Sequence, residues 1–210
     1  SDWNRIYKHI NIANMILASI DEQSTPKEED ELEVMRIKGE AYFLRGAYYF
    51  ILVNLYGKPY TKTGAKNDLG VPIKNTEYIE DKVYGRNTVE EVYAQVLADL
   101  GEAEKCLEKT VHKSIYRADI TATYLLLSRV HLYMQNWEMA ESYAKKVLSK
   151  QDDLRDLNMM EGIPFFLDTT LPEVIFTMGI GGIRYTISGL PFQMNFMLCI
   201  KIMIYERVIL

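Results

Sequence analysis

The run from Lys38 to Pro59, KGEAYFLRGAYYFILVNLYGKP, constrains this chain more than any other stretch. Ile37, Ala41, Leu44, Tyr48, Ile51 and Leu55 recur at alternating spacings of four and three, the period of one helix face. Gly46 to Gly57 carries no charge, so this half of the helix is expected to be apolar on most sides and to lie centrally. Its twelve residues fall short of the roughly 20 that a bilayer span requires. A buried packing helix is therefore the element around which the remaining segments must be arranged.

The flanking sequence supplies its neighbours. Trp3 to Ile20 reads as a helix with Ile6, Ile10, Ala13, Leu17 and Ile20 on one stripe and Asp2 at its cap. Thr25-Pro26-Lys27-Glu28 has the capping-box layout with Pro at the first helical position. The acidic run Glu28 to Glu33 then suits the positive end of the helix dipole, as a solvated helix start, and this helix continues to about Tyr56. Gly57 to Asn87, punctuated by Gly57, Pro59, Gly64, Gly70, Pro72 and Gly85, is a connection long enough to be functional or packed in its own right. Thr88 with Glu91 opens a third helix along Val89, Val92, Val96, Leu100, Ala103 and Leu107. Asp119 to Met134 and Trp137 to Lys150 form a helix pair joined by Gln135-Asn136, and Ala140 and Ala144 permit close helix approach. The order W-x-x-A-x-x-x-A in that pair resembles a tetratricopeptide repeat. The expected fold class is mainly all-α: a tetratricopeptide-like helical repeat scaffold over residues 1–150 with a long loop. Residues 151–186, with Ile163 to Phe166 and Leu171 to Phe176, are expected to be irregular or short strands.

A net charge of −5 gives no electrostatic support for a nucleic-acid or basic membrane-surface role. His9, His112 and His131 fall in no metal-binding spacing, and His131 reads as a satisfied core residue. Gly179-Ile180-Gly181-Gly182 lacks the third glycine and following helix of a dinucleotide fingerprint. With no G-x-S-x-G and no P-loop, neither catalysis nor a cofactor is expected. Cys106 and Cys199 cannot make a disulfide framework, and Cys106 reads as a small buried residue. Arg45 and Arg129 interrupt apolar helical runs; a buried guanidinium must be paired, and Glu40 and Asp99 are the expected partners. Fifteen tyrosines supply flat rings with polar tips, most of them suited to helix seams. Tyr7 and Trp137 fit such seams. Trp3, at the start of its helix, and the loop residues Tyr60, Tyr78 and Tyr84 are the candidate ligand-binding side chains, because flat apolar rings beside polar groups make platforms for a polar ligand.

The order E-A-Y-F-L-R-G-A-Y-Y-F-x-L-V-x-L-Y-G-x-P resembles the SusD/RagB family of outer-membrane nutrient-binding proteins. Further segments agree in order. They are Trp3-Asn4-x-x-Tyr7 with Ile10-Asn11-x-Ala13-Asn14-x-Ile16-Leu17, Arg86-x-Thr88-x-x-Glu91-Val92-Tyr93 with Asp99-Leu100, Leu125 to Tyr133, and Asn136-Trp137-x-x-Ala140. The resemblance implies a tetratricopeptide-like scaffold carrying a loop-rich ligand site, commonly for an oligosaccharide. It also implies a SusC-type TonB-dependent transporter as partner, and an outer-membrane, cell-surface location through a lipid anchor. No anchoring cysteine lies near Ser1, so the chain is expected to be an internal piece lacking that segment. The alternative is a soluble helical-repeat scaffold that binds a peptide in its concave face, with no glycan role.

The tail 187–210 departs from the family pattern. In place of an acidic stretch S-D-E-x-x-x-x-Y-x-x-x-D-x-R it has F-Q-M-N-F-M-L-C-I-K-I-M-I-Y-E-R. Codons for Phe192 to Glu206, read from the third base of the Phe192 codon, permit S-D-E-F-Y-A-L-Y-K-D-N-D-L-R. The Met194/Asn195 junction must then give Glu and the Met203/Ile204 junction Asp. The residues after about Thr177 are therefore expected to be a frameshift product or gene-prediction error.

Overall fold

A computed structural model describes residues 2–20, 28–78, 81–154, 156, 171–178, 183–187, 190–194 and 197–199. Among them run five helices: α1 (Asp2–Ile20), α2 (Glu28–Tyr56), α3 (Val89–Leu107), α4 (Ile120–Tyr133) and α5 (Trp137–Leu148). Short strands follow: β1 (Val174–Thr177), β2 (Ile183–Ile187), β3 (Leu190–Met194) and β4 (Met197–Cys199). β1 pairs antiparallel with β4, and β2 with β3. The fold is mainly helical, as the sequence predicts. Thr25 to Lys27, Ile163 to Phe166, Gly179 to Gly182 and residues 200–210 lie outside the described residues.

Local chemistry sets the helix ends. Thr88 Oγ1 accepts from the Glu91 N–H (3.2 Å) while the Glu91 carboxylate accepts from the Thr88 N–H (2.7 Å), closing the capping box that starts α3. Asp119 caps α4 by accepting from the Ala122 N–H at 2.8 Å. Between α4 and α5, Gln135 takes a left-handed turn at φ 58°. The Ser128 hydroxyl then donates across the pair to the Ala140 carbonyl at 2.7 Å, an approach that the small residue permits.

Successive helices run antiparallel. Trp3 meets Tyr56 and His9 stacks on Tyr48, which sets α1 against α2. Gly39 faces Leu107 and Tyr93 reaches Asn54, which sets α2 against α3. One core cluster extends from Ile6 in α1 through all later helices to Ile175 and Phe176 in β1. The stripes read for α1 and α3 are the buried ones, with only Leu17 among them half-exposed. The stripe read for α2 is not its deepest face. Ile37, Leu44, Tyr48 and Ile51 are half-buried and Leu55 is exposed, whereas Phe43, Ala47, Tyr49, Leu52 and Val53 are fully enclosed. A helix covered by α1, α3 and β1 buries several faces at once, so its period does not single one out.

The two interrupting arginines differ. Arg45 forms a bidentate pair with Asp99, through Nε (2.9 Å) and Nη2 (2.6 Å), and a further bond to Asn14 Oδ1 (3.0 Å). Arg129 departs from expectation: its Nη2 is buried with no hydrogen-bond partner among the described residues. The carboxylates expected to serve it are already committed, Asp99 to Arg45 and Glu40 to Arg36 and Arg117.

Candidate functional site

The antiparallel arrangement brings the start of α1, the end of α2, the start of α3, the end of α4 and the start of α5 to one end of the scaffold, and aromatic residues concentrate there. Trp3 packs its indole edge-on against Tyr56 (centroids 4.9 Å apart, planes at 81°) and tilts against Tyr7 (5.0 Å, 49°). Tyr60, at the start of the long loop, packs on Tyr93 at 4.9 Å. Phe50 joins Tyr93 (5.9 Å) to Tyr133 (5.2 Å), both edge-to-face. Tyr56, Tyr133 and Trp137 keep 40%, 46% and 56% of their surface exposed. Trp137 thus does not fill a seam: it opens α5 at the tip of the hairpin with more than half of its surface exposed.

The long loop is pinned beside this end by polar side chains of the helices. The Tyr7 hydroxyl donates to the Pro72 carbonyl at 2.7 Å. The Tyr49 hydroxyl donates to the Lys74 carbonyl and accepts from the Lys74 N–H, both at 2.8 Å. Asn14 Nδ2 donates to the Lys74 and Thr76 carbonyls (2.9 and 3.2 Å). Arg86 closes the loop by donating to the carbonyls of Gly70, Leu69 and Tyr56 at 2.7–3.0 Å. At Gly57 a Cβ would stand 2.6 Å from the Val53 carbonyl oxygen, so the chain leaves α2 along a path open only to glycine.

Of the side chains singled out from sequence, Trp3 and Tyr60 fall at this aromatic end. Tyr78 does not: it is 68% exposed, and its carbonyl accepts from Lys74 Nζ, whose chain is tied to the middle of α1. Tyr84 is half-buried under the Lys82 ammonium, 5.1 Å from its centroid. Tyr56, Tyr133 and Trp137 were not picked out. Their sequence signal is the placement of aromatics at helix ends, legible only once neighbouring helices are known to be antiparallel.

Burial pushes the Tyr93 hydroxyl up to about 12, with its bond to Asn54 working against the rise, and raises Tyr7 well above its ordinary range. These phenols stay protonated and serve as hydrogen-bond donors. No group of three or more His, Cys, Asp or Glu among the described residues is placed to hold a metal ion. No described helix is long and apolar enough to cross a membrane.

Residues 1–132 match a SusD-like family described as starch-binding, associating with outer membrane. The chain belongs to the SusD-like family. Over 124 residues it is 29% identical to the starch-binding protein SusD of Bacteroides thetaiotaomicron, covering 56% of this chain and 20% of that protein. Over 151 residues it is 24% identical to the SusD-like protein P25 of Formosa agariphila, covering 70% of this chain and 26% of that protein. A solved SusD superfamily protein of Bacteroides thetaiotaomicron aligns at TM-score 0.70 and 30% identity, over 85% of this chain and 38% of its own. A SusD-like carbohydrate binding protein of Bacteroides vulgatus aligns at TM-score 0.72 and 29% identity, over 83% and 36%. The chain therefore spans 20–26% of the length of these curated SusD-like relatives.

Proposed function

We propose that this chain is the helical scaffold portion of a cell-surface nutrient-binding protein that captures oligosaccharides and works with a TonB-dependent outer-membrane transporter. The observation that carries this reading is the family match to starch-binding proteins, and the aromatic end built from Trp3, Tyr56, Tyr133 and Trp137 supplies chemistry to go with it. Flat rings offer apolar faces to the C–H surface of a sugar, and the exposed Tyr56 and Tyr133 carry hydroxyls beside those faces. Binding rather than turnover is the task such a surface performs. The transporter partnership and surface location belong to the same reading, as does the assignment of residues 1–150 to the scaffold, 151–186 to the start of the ligand-binding subdomain, and the tail after about Thr177 to an out-of-frame product. Sequencing the locus checks the tail: an intact single frame, found again in an independent isolate, would remove that assignment.

Calorimetric titration of an oligosaccharide panel into the chain tests the binding. At least one glycan is expected to bind, and Trp3→Ala is expected to weaken it about tenfold, the loss of one aromatic contact. Clear peptide binding with no binding to any glycan would replace this reading with that of a helical interaction scaffold.

A further inference from the structure

A second site lies away from the aromatic end. A cavity of about 210 Å³ opens between α2, the segment leading into α4, and β1. Glu40, Leu44 and Tyr48 line it from α2, Tyr116 and Arg117 from the approach to α4, and Phe176 from β1. β1 is held against that approach by the Thr177 N–H donating to the Ile115 carbonyl at 2.8 Å. Glu40 lies sixteen residues before Tyr56 on one helix, about 24 Å along its axis, so the two sites are separate.

The chemistry of the walls is specific. The Glu40 side chain is only 10% exposed and is fixed from two directions, by Arg36 and by Arg117 Nη2 at 2.7 Å. Arg117 Nε also donates to Glu40, at 3.2 Å, so the guanidinium and carboxylate lie edge to edge as a planar pair. Arg117 is exposed, and its two bonds to Glu40 use Nε and Nη2, which leaves the Nη1 edge of the guanidinium directed away from Glu40 and able to donate to a ligand. The Glu40–Arg117 pair is itself neutral, and the neighbouring cations Arg36 and Lys113 are taken up by Glu33 and, for Arg36, also by Glu40. A nearly neutral pair gives little attraction for a free ion and suits a neutral ligand with adjacent hydroxyls, one accepting from the guanidinium and one donating to the carboxylate. Tyr48, Phe176 and the exposed Tyr116 add apolar ring surface beside this pair. The volume is below the roughly 300–1,000 Å³ of sites that enclose larger ligands, which limits the occupant to a single ring.

We infer that this cavity is a subsite for one pyranose unit, either a free monosaccharide or the terminal residue of an oligosaccharide, held by the Glu40–Arg117 pair and by Tyr116. The inference rests on the glycan-binding reading above. Saturation-transfer NMR with methyl α-glucopyranoside, methyl α-mannopyranoside and methyl β-galactopyranoside tests it on the chain and on Tyr116→Ala, Arg117→Lys and Trp3→Ala. At least one glycoside is expected to bind, with affinity about tenfold weaker in Tyr116→Ala and in Arg117→Lys. Tyr116 is exposed, so its loss is expected to leave the circular dichroism spectrum intact; Arg117→Lys carries the test should it not. Absence of binding by every glycoside overturns the subsite, and the oligosaccharide titration then judges the wider reading by itself. Glycoside binding that survives both cavity variants and disappears in Trp3→Ala overturns the subsite while leaving the glycan reading in place.

Discussion

Arg45 and Asp99 bury opposite charges against each other at the crossing of α2 and α3, with Asn14 of α1 completing the group. Desolvation offsets most of what such a pair gains, but removing one partner leaves an uncompensated interior charge, at about 3–5 kcal/mol. Arg45→Met is therefore expected to lower unfolding stability by about that amount in urea titration, and Arg45→Met with Asp99→Leu to recover much of it. An unchanged midpoint in the single variant would show that the pair holds nothing. This partnership was legible because a guanidinium within an apolar helix demands a carboxylate. The unpartnered Nη2 of Arg129 was not legible, since the same rule names no supplier once Asp99 and Glu40 are taken. His131 makes a second prediction. It is buried, stacked on Tyr143 at 5.7 Å with Asn136 beside it, and burial holds its pKa below the ordinary 6.5. The unfolded chain thus takes up a proton near pH 6.5 that the folded chain refuses, so this contribution is intact above that pH and declines as pH falls. Thermal melts from pH 7.5 to 5.5 should show a larger drop for the wild type than for His131→Phe, and parallel curves would contradict it.

Between elements, α2 and α3 approach closely at Gly39. A Cβ at Gly39 would sit 2.6 Å from Leu107 Cγ and 2.8 Å from its Cδ2, and Leu107 is fully enclosed, so it has nowhere to move. At Gly46 the nearest atoms, on Asp99 and Leu100, stand at 3.3 Å. Alanine gains about 1 kcal/mol of helix propensity at either position, against an overpacking cost of about 1–3 kcal/mol where the space is missing. Gly39→Ala should therefore lower the denaturation midpoint, and Gly46→Ala should leave it nearly unchanged. Equal effects would deny that the contact at Gly39 is the tighter. The long loop offers another test. Tyr49→Phe leaves the Lys74 N–H without its partner, while Asn14 still donates to the Lys74 C=O, at a cost of about 1–3 kcal/mol, and should speed proteolytic cleavage within 57–87. Cleavage at the wild-type rate would contradict that role. Sequence reading found the α3 cap and the α1 and α3 stripes because both are local patterns. It could not find the loop's anchors, since Tyr49 and Lys74 are 25 residues apart and the bond is to backbone, which leaves no trace in spacing.

At the scale of the molecule, one feature separates this scaffold from a plain stack of helix hairpins. β1, well beyond the last described helix in sequence, re-enters the helical core. Ile175 and Phe176 are each 2% exposed, and Phe176 meets Phe43 of α2 edge-to-face at 5.0 Å. The sequence marks Leu171 to Phe176 as irregular or a short strand, with no sign that it seals α2, because a four-residue apolar run carries no address. The same gap explains the candidate site. Ring chemistry and loop position single out Tyr60, Tyr78 and Tyr84, whereas the clustered rings come mostly from the ends of helices that only the packing brings together. Burial of two large side chains at about 1.5–3 kcal/mol each makes β1 worth about 3–6 kcal/mol to the scaffold. A chain ending at Met178 is thus expected to unfold in urea as one cooperative transition, since β1 and the helices share a single core. A chain ending at Lys150 should lose stability by that margin and expose the face of Phe43. Equal midpoints for the two would mean that the helices close their own core and that β1 only rests upon it.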